Sequence, residues 1–329
     1  MKKRNIIIAA VLAAILIGSV TVSCVLMNGT VINADSAPAA SETTAENSTS
    51  AVEQTVSDAS AEAPSSEPEK VSSAAPAVSR AVSTLSPDHP YYSIIKEAEK
   101  YDRTCRPYGQ GKNFDGNNRP REALAVQSAY RELGLTCLEE GAGKTIYLTF
   151  DVGYYTADYA RILDVLKEKG VSATFFFVGS AAVESPNAVR RALAEGHVIG
   201  NHSMKHIAVE SSSVETVVDN IAAFHDYMKK TYGYEMHLYR PPSGVFSKAV
   251  LRSAQLLGYK TVEWSFAYAD WDPDDQPDRD EALRTLKERA HDGAIYFLHT
   301  TSPVNPQILG EAIDYWRSEG YTVTAYPNE

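Results

Sequence analysis

Residues Lys144 to Tyr155 read KTIYLTFDVGYY, and the rest of the chain is organised around them. Ile146, Leu148 and Phe150 alternate with other residues at the two-residue period of a β-strand, and Gly153 breaks the run. The strand therefore carries a carboxylate, Asp151, at its C-terminal tip. After it, strand-like and helix-like segments alternate to the end of the chain. Strands are expected at Thr145–Phe150, Val171–Val178, His197–Gly200, His237–Tyr239, Lys260–Trp264, Ala294–Leu298 and Tyr321–Ala325. Helices fall between them at Ala157–Lys169, Asn187–Glu195, Val214–Tyr232, Lys248–Leu257, Arg279–Ala290 and Gln307–Glu319. Seven strands in regular alternation with helices predict an α/β fold, a short or distorted (β/α)7-type barrel over 144–329, with an open doubly wound sheet as the alternative. No glycine-rich loop follows the first strand, which argues against a nucleotide site.

The chain before Lys144 has a different character. Lys2, Lys3 and Arg4 precede an apolar run from Ile6 to Met27, long enough to span a bilayer at about 1.5 Å per residue. Positive charge on its N-terminal side places the remainder outside the cytoplasm. The length of the run, and the lack of a small-x-small site after it, favour an uncleaved anchor in segment 1–33 over a cleaved signal peptide. Segment 34–87 is built of Ala, Ser, Thr, Val, Glu and Pro with no periodicity, and is expected to be a disordered tether. Aromatics return in 88–143, read as an extension that packs on the domain, with helices at Tyr92–Tyr101 and Arg121–Leu133. The net charge of −11 argues against a nucleic-acid partner. A monomer is expected. Of three cysteines, Cys105 and Cys137 are candidates for a disulfide in an exported protein or for free thiols, while Cys24 lies in the apolar run.

Several strands end in reactive residues, and in a parallel α/β fold strand C-termini share one face. His202 and His206 follow the third strand at a spacing that lets two imidazoles share a divalent metal. Alone, such a pair is more often two unrelated surface residues, and a lone strand-end Asp or His more often a turn cap or a hydrogen-bonded rim residue. Arg240-Pro241-Pro242-Ser243-Gly244 is less ordinary, because two prolines fix the backbone and aim Arg240 at the same rim. Asp270-Trp271 opens a polar loop with Asp272, Asp274 and Asp275, which reads as a solvated loop rather than a calcium site. His299 ends the sixth strand. Together these supply a general base, two metal ligands, an orienting cation and a general acid, the inventory for metal-assisted hydrolysis of an acyl group.

In this order the motifs Thr149-Phe150-Asp151, His202-Ser203-x-x-His206, Arg240-Pro241-Pro242-Ser243-Gly244, Asp270-Trp271 and Leu298-His299-Thr300 resemble the polysaccharide deacetylases of the NodB type. RPPSGVFS (240–247), WSFAYADW (264–271) and GAIYFLHTTS (293–302) further resemble the delta-lactam-biosynthetic de-N-acetylases of spore-forming bacteria. The resemblance implies that Asp151 is the general base, His202 and His206 hold the metal, and Arg240 orients Asp151. It implies that the Ser243 N–H holds the oxyanion, Asp270 pairs with His299, and His299 protonates the leaving amine. Leu298 would line the acetyl-methyl pocket, and Trp271 and Tyr154 would touch substrate. The metal would be divalent, Zn²⁺ by the chemistry of imidazole ligands. Where many members carry a second, ligating acid after the base, this chain has Val152. The implied substrate is peptidoglycan, with N-acetylmuramic acid as the sugar and muramic delta-lactam as the outcome. Rivals are deacetylation of N-acetylglucosamine or another polysaccharide, an O-acetyl esterase, and a glycan-binding pseudoenzyme suggested by Val152.

Overall fold

A computed structural model describes residues 85–329. The apolar run at Ile6–Met27 and all but the last three residues of segment 34–87 lie outside the described residues. Among the described residues no helix is long and apolar enough to cross a membrane. The elements in order are α1 (Tyr92–Ala98), β1 (Arg106–Pro107), α2 (Arg121–Tyr130), β2 (Leu135–Thr136), β3 (Thr145–Val152), α3 (Ala157–Lys169), β4 (Thr174–Phe177), α4 (Gly179–Glu184) and α5 (Pro186–Ala194). They continue with β5 (Val198–Asn201), α6 (Val214–Tyr232), β6 (Leu238–Tyr239), β7 (Val245–Phe246), α7 (Lys248–Leu256), β8 (Lys260–Val262), β9 (Phe266–Ala267), α8 (Arg279–Glu288), β10 (Ala294–His299), α9 (Asn305–Ser318) and β11 (Thr322–Thr324).

Local chemistry sets these boundaries. Thr156 caps α3 by accepting the Tyr159 N–H at 3.1 Å, and Gly170 ends it in the left-handed region at φ +60°. Ser213 and Ser247 cap α6 and α7 in the same way, and Asp278 caps α8. Each such cap contributes about 1 kcal/mol.

The main sheet runs β2-β8-β6-β5-β4-β3-β10-β9, and every pairing in it is parallel. β11 adds beside the first half of β3, on the edge where β4 takes the second half. The sheet curls. β8 and β9 belong to one stretch, Lys260–Ala267, yet β8 pairs near one end of the sheet and β9 at the other. Glu263–Ser265 bridge the ends, with the Glu263 N–H donating to Thr136 O at 2.9 Å and the Ser265 N–H to Ile295 O at 3.0 Å. The result is a curled, incompletely closed barrel rather than a flat doubly wound sheet.

The core follows the strand pleat. Ile146, Leu148 and Phe150 point to one face of β3, where Phe150 stacks on Phe175 at 5.2 Å and Tyr159 meets Phe175 edge-on at 5.5 Å. Thr149 and Asp151 point to the other. The extension does more than pack on the barrel, because β2 is a strand of the main sheet and Leu135, Cys137 and Leu138 are buried in the common core. Two-residue strands carry no readable period, which is why β1, β2, β7 and β9 escape a pattern-based reading.

Cys105 and Cys137 are both free thiols. Cys137 is fully buried beside Tyr108, and Cys105 is half-buried beside Ser247. The disulfide alternative is therefore not realised in this structure.

The extension joins β10 through Gly293, whose carbonyl accepts the Glu139 N–H at 2.9 Å. Gly293 has φ +70°, and a Cβ there would collide with the Glu139 carbonyl. Gly293→Ala is expected to lower unfolding free energy by about 2–4 kcal/mol, the combined cost of a left-handed alanine and a displaced backbone contact. Urea unfolding checks it, and a loss below about 1 kcal/mol would mean that the extension is not seated on β10 through this contact.

Candidate active site

Five chain segments end at one rim. Asp151, next to last in β3, is in register with His299 at the end of β10. His202 follows β5 directly, Arg240 follows β6, and Asp270 lies in the loop after β9. They surround a cavity of about 450 Å³. Asp151, Gly153, His202, His206 and His299 form its polar wall, and Trp264, Trp271 and Phe297 its aromatic wall, with Ser243 and Gly244 between them.

Arg240 is fully buried. Its guanidinium donates to Asp151 Oδ1 at 2.8 Å, Thr149 Oγ1 at 2.9 Å, Val262 O at 3.0 Å and Glu263 O at 3.4 Å. The Phe176 and Phe297 rings lie over it at 4.1 and 4.9 Å. Such a group has one orientation open to it. Burial works to raise the Asp151 carboxyl, but the permanent charge of Arg240 and its direct hydrogen bond outweigh it and hold Asp151 below the ordinary carboxylate range. Asp151 is thus ionised at neutral pH.

His202 is also buried, and burial pushes its imidazole down to about 4. Its Nδ1 lies 2.8 Å from Arg240 O. A carbonyl only accepts, so Nδ1 carries the proton and Nε2 presents a lone pair. That lone pair faces Asp151 Oδ2 at 3.3 Å, an acceptor facing an acceptor. The His206 ring stands 4.9 Å away between ring centres. One carboxylate and two imidazoles on the same wall are donor types that fit a divalent cation such as Zn²⁺.

Asp151, His202 and His206 do not gather as tightly as a second group, His89, Glu215 and Asp219, whose ligand atoms all lie within 4.8 Å of one another. Hydrogen bonding decides against that group. The Tyr91 N–H donates to His89 Nδ1 at 3.1 Å, so the neutral ring carries its proton on Nε2, directed at Asp219 Oδ1 at 3.2 Å. Nε2 then has no lone pair for a metal.

Across the cavity, His299 Nδ1 donates to Asp270 Oδ1 at 2.7 Å, and the His299 N–H to Asp270 Oδ2 at 2.8 Å. Asn305 Nδ2 donates to Asp270 Oδ2 at 2.7 Å and to His299 O at 2.9 Å. Asp270 is fully buried. The tautomer this fixes leaves His299 Nε2 facing the cavity. Ser203, His206 and Ser243 are held at positive φ, +63°, +48° and +57°. Strain of that kind costs about 1–3 kcal/mol per residue and gathers where a side chain or an N–H must be aimed. Gly244, at φ +61°, has no room for a Cβ, because the Trp264 ring would lie 2.7 Å from it.

Of the residues expected from sequence, Asp151, His202, His206, Ser243, Trp271 and His299 line the cavity, and Arg240 and Asp270 stand behind Asp151 and His299. Leu298 does not line it. Strand alternation puts Leu298 on the face of its register partner Phe150, so the apolar wall is Phe297. Counting two residues back from His299 along the strand identifies Phe297 without a structure. Val152 is buried in the apolar core on the face opposite Asp151, so its side chain is not positioned to take the place of a ligand. Tyr154 is 52% exposed and does not line the cavity, and the charges of Asp272 and Asp274 act on it. In that loop the Asp274 N–H donates to Asp272 Oδ1 at 3.0 Å, an Asx turn. Asn305 carries no sequence signal, and Thr149 and Trp264 stand in motifs that do not reveal their roles, since those roles arise only from contacts between distant segments.

The family model described as Polysaccharide deacetylase matches residues 139–262. The peptidoglycan-N-acetylmuramic acid deacetylase PdaA of Bacillus subtilis (strain 168) is 41% identical over 218 residues, 66% of this chain and 83% of the relative. The chain belongs to the polysaccharide deacetylase family. It is a hydrolase acting on carbon–nitrogen bonds other than peptide bonds. The solved structure of Bacillus subtilis PdaA, a family 4 carbohydrate esterase, matches this deacetylase with a TM-score of 0.64 at 34% identity, covering 68% of this chain and 96% of that one. A family 4 carbohydrate esterase from Bacillus anthracis matches with a TM-score of 0.56 at 32% identity, covering 68% and 95%.

Asp270 holds His299 by two bonds, so Asp270→Asn is expected to cut the rate of acetate release by about 10²–10⁴-fold, through the wrong tautomer, with thermal unfolding shifted by only a few degrees. A rate within about threefold of wild type would show that His299 needs no carboxylate behind it.

Proposed function

We propose that this deacetylase hydrolyses the N-acetyl group of peptidoglycan, that N-acetylmuramic acid is the sugar it acts on, and that the freed amine closes onto the lactyl carboxyl as a delta-lactam. The observation that carries the chemistry is the opposition of two oriented groups across one cavity, Asp151 clamped by Arg240 and His299 clamped by Asp270. The sugar assignment is supported by the 41% identity to a deacetylase named for that substrate.

The residues divide the work as follows. The acetamide enters with its methyl against Phe297 and Trp271 and its carbonyl oxygen toward the Ser243 backbone. Asp151, ionised and fixed by Arg240, accepts a proton from the attacking water. The developing oxyanion meets the Ser243 N–H. His299, as the imidazolium with its Nδ1 proton held by Asp270, delivers its Nε2 proton to the leaving nitrogen, and the proton taken up by Asp151 restores it for the next turnover. Water and amide become acetate and a free amine. His202 and His206, with Asp151 beside them, would hold a divalent ion, most simply Zn²⁺, which when bound supplies Lewis-acid polarisation of the carbonyl and lowers the pKa of water.

The placement of the reaction rests on the N-terminus. The basic run and apolar stretch Ile6–Met27 anchor the chain, and segment 34–87 tethers a monomeric, extracytoplasmic domain to its glycan.

The test is mass spectrometry of defined glycan strands, with and without stem peptides, after digestion by the purified protein. Loss of one acetyl group from muramic residues, followed by loss of water on lactam closure, is expected. Loss confined to glucosamine residues would replace the sugar assignment. Asp151→Asn and His299→Ala should each lower acetate release by about 10²–10⁴-fold without unfolding the protein. A chelator should abolish release and added Zn²⁺ restore it. Full activity in excess chelator would remove the metal from the account.

A further inference from the structure

Glu263 sits inside the barrel, in the bridge between β8 and β9, and the chemistry above does not use it. Its side chain is fully buried, and neither carboxyl oxygen has a hydrogen-bond partner. Its backbone is committed: the N–H donates to Thr136 O at 2.9 Å, and the carbonyl receives Arg240 Nη2 at 3.4 Å. The titratable groups that act on it, or on which it acts, are Asp151 from β3, Tyr239 and Arg240 from β6 and its end, and Tyr108 and Cys137 from the extension. The Tyr108 hydroxyl is occupied by Trp264 O. Arg240 is the one cation acting on Glu263 among the described residues.

Two buried acids therefore share one guanidinium. Asp151 has it, through a direct bond at 2.8 Å, and Glu263 has no bond to it from its side chain. Ionising both acids would leave a buried negative charge without a counterion, which the interior opposes strongly. Burial pushes the Glu263 carboxyl up to about 8, with Arg240 opposing the shift and the charge of Asp151 adding to it.

We propose that Glu263 is a positioning residue that sets the alkaline limit of the reaction: neutral, it leaves Arg240 to Asp151, and ionised, it competes with Asp151 for the same guanidinium. This rests on the reading of Asp151 as the base, so one arm of the test is independent of activity.

That arm is thermal unfolding between pH 5 and 9 of wild type, Glu263→Gln, Asp151→Asn and the double variant. A carboxyl raised above its unfolded value of about 4.3 gives stability that is complete below that value and lost as pH rises through its folded pKa. The melting temperature of Glu263→Gln should therefore gain on wild type as pH rises from 5 and level off near 8. With Asp151→Asn as background, the gain should level off about one pH unit lower, because the charge of Asp151 no longer opposes ionisation of Glu263. A pH-independent difference would overturn the neutral acid, and an unmoved levelling point would overturn its coupling to Asp151. The second arm is the pH profile of acetate release. Wild type should lose kcat above about pH 8 with KM little changed, and Glu263→Gln should carry its plateau about one unit further. An identical alkaline limb in both proteins would overturn the positioning role. Absence of acetate release from every substrate would count against the deacetylase reading alone, since the unfolding arm decides the coupling without it.

Discussion

The contact between Arg240 and Asp151 determines most of what surrounds it. Taking two charges out of water is costly, and the attraction between them offsets that cost only when the remaining donors are also satisfied. Here they are. Thr149 and the carbonyls of Val262 and Glu263 take the other guanidinium protons, and aromatic faces close over the cation. Those partners come from β3, from the end of β8 and the bridge after it, and from β4 and β10. The pair can form only if β3, β6 and the bridge after β8 are in register, so the same contact that keeps Asp151 ionised also fixes how the sheet curls.

The opposite wall is built on another economy. Among the described residues no Lys or Arg reaches the buried Asp270, which accepts from the His299 ring, the His299 backbone and Asn305. The two carboxylates therefore differ in partner rather than in burial. One is held by a permanent charge and left with an oxygen toward the cavity, suited to taking a proton. The other is spent on orienting an imidazole. Between them, Ser203, His206 and Ser243 hold left-handed backbone, and the rigid strand ends on either side carry that strain.

Much of this is legible in the sequence, for a physical reason. In a parallel sheet a strand end is a location, so Asp151, His202, Arg240, Asp270 and His299 announce a common rim before any coordinates exist. Side-chain direction is legible too, but only if alternation is followed residue by residue. Phe297, not Leu298, shares a face with His299, and Val152 turns away from the face of Asp151. The rest was hidden because it depends on distant contacts. β2 is two residues long, too short for a period, and owes its place in the sheet to β8. Asn305 reads as a loop residue before the helix expected at Gln307–Glu319 until Asp270 is seen beside it. Glu263 reads as a polar residue near a strand end, and only the closed barrel shows that it is buried beside an already committed arginine.

The claim at the centre is that Arg240 and Asp151 act as one unit. A double-mutant cycle on urea unfolding at pH 7, with Asp151→Asn, Arg240→Met and the double variant, measures it directly. Removing either partner alone should cost about 3–5 kcal/mol, because the other is left buried and uncompensated. Removing both should cost less than the sum by about 2 kcal/mol or more. Single losses that add to within about 0.5 kcal/mol would contradict the account.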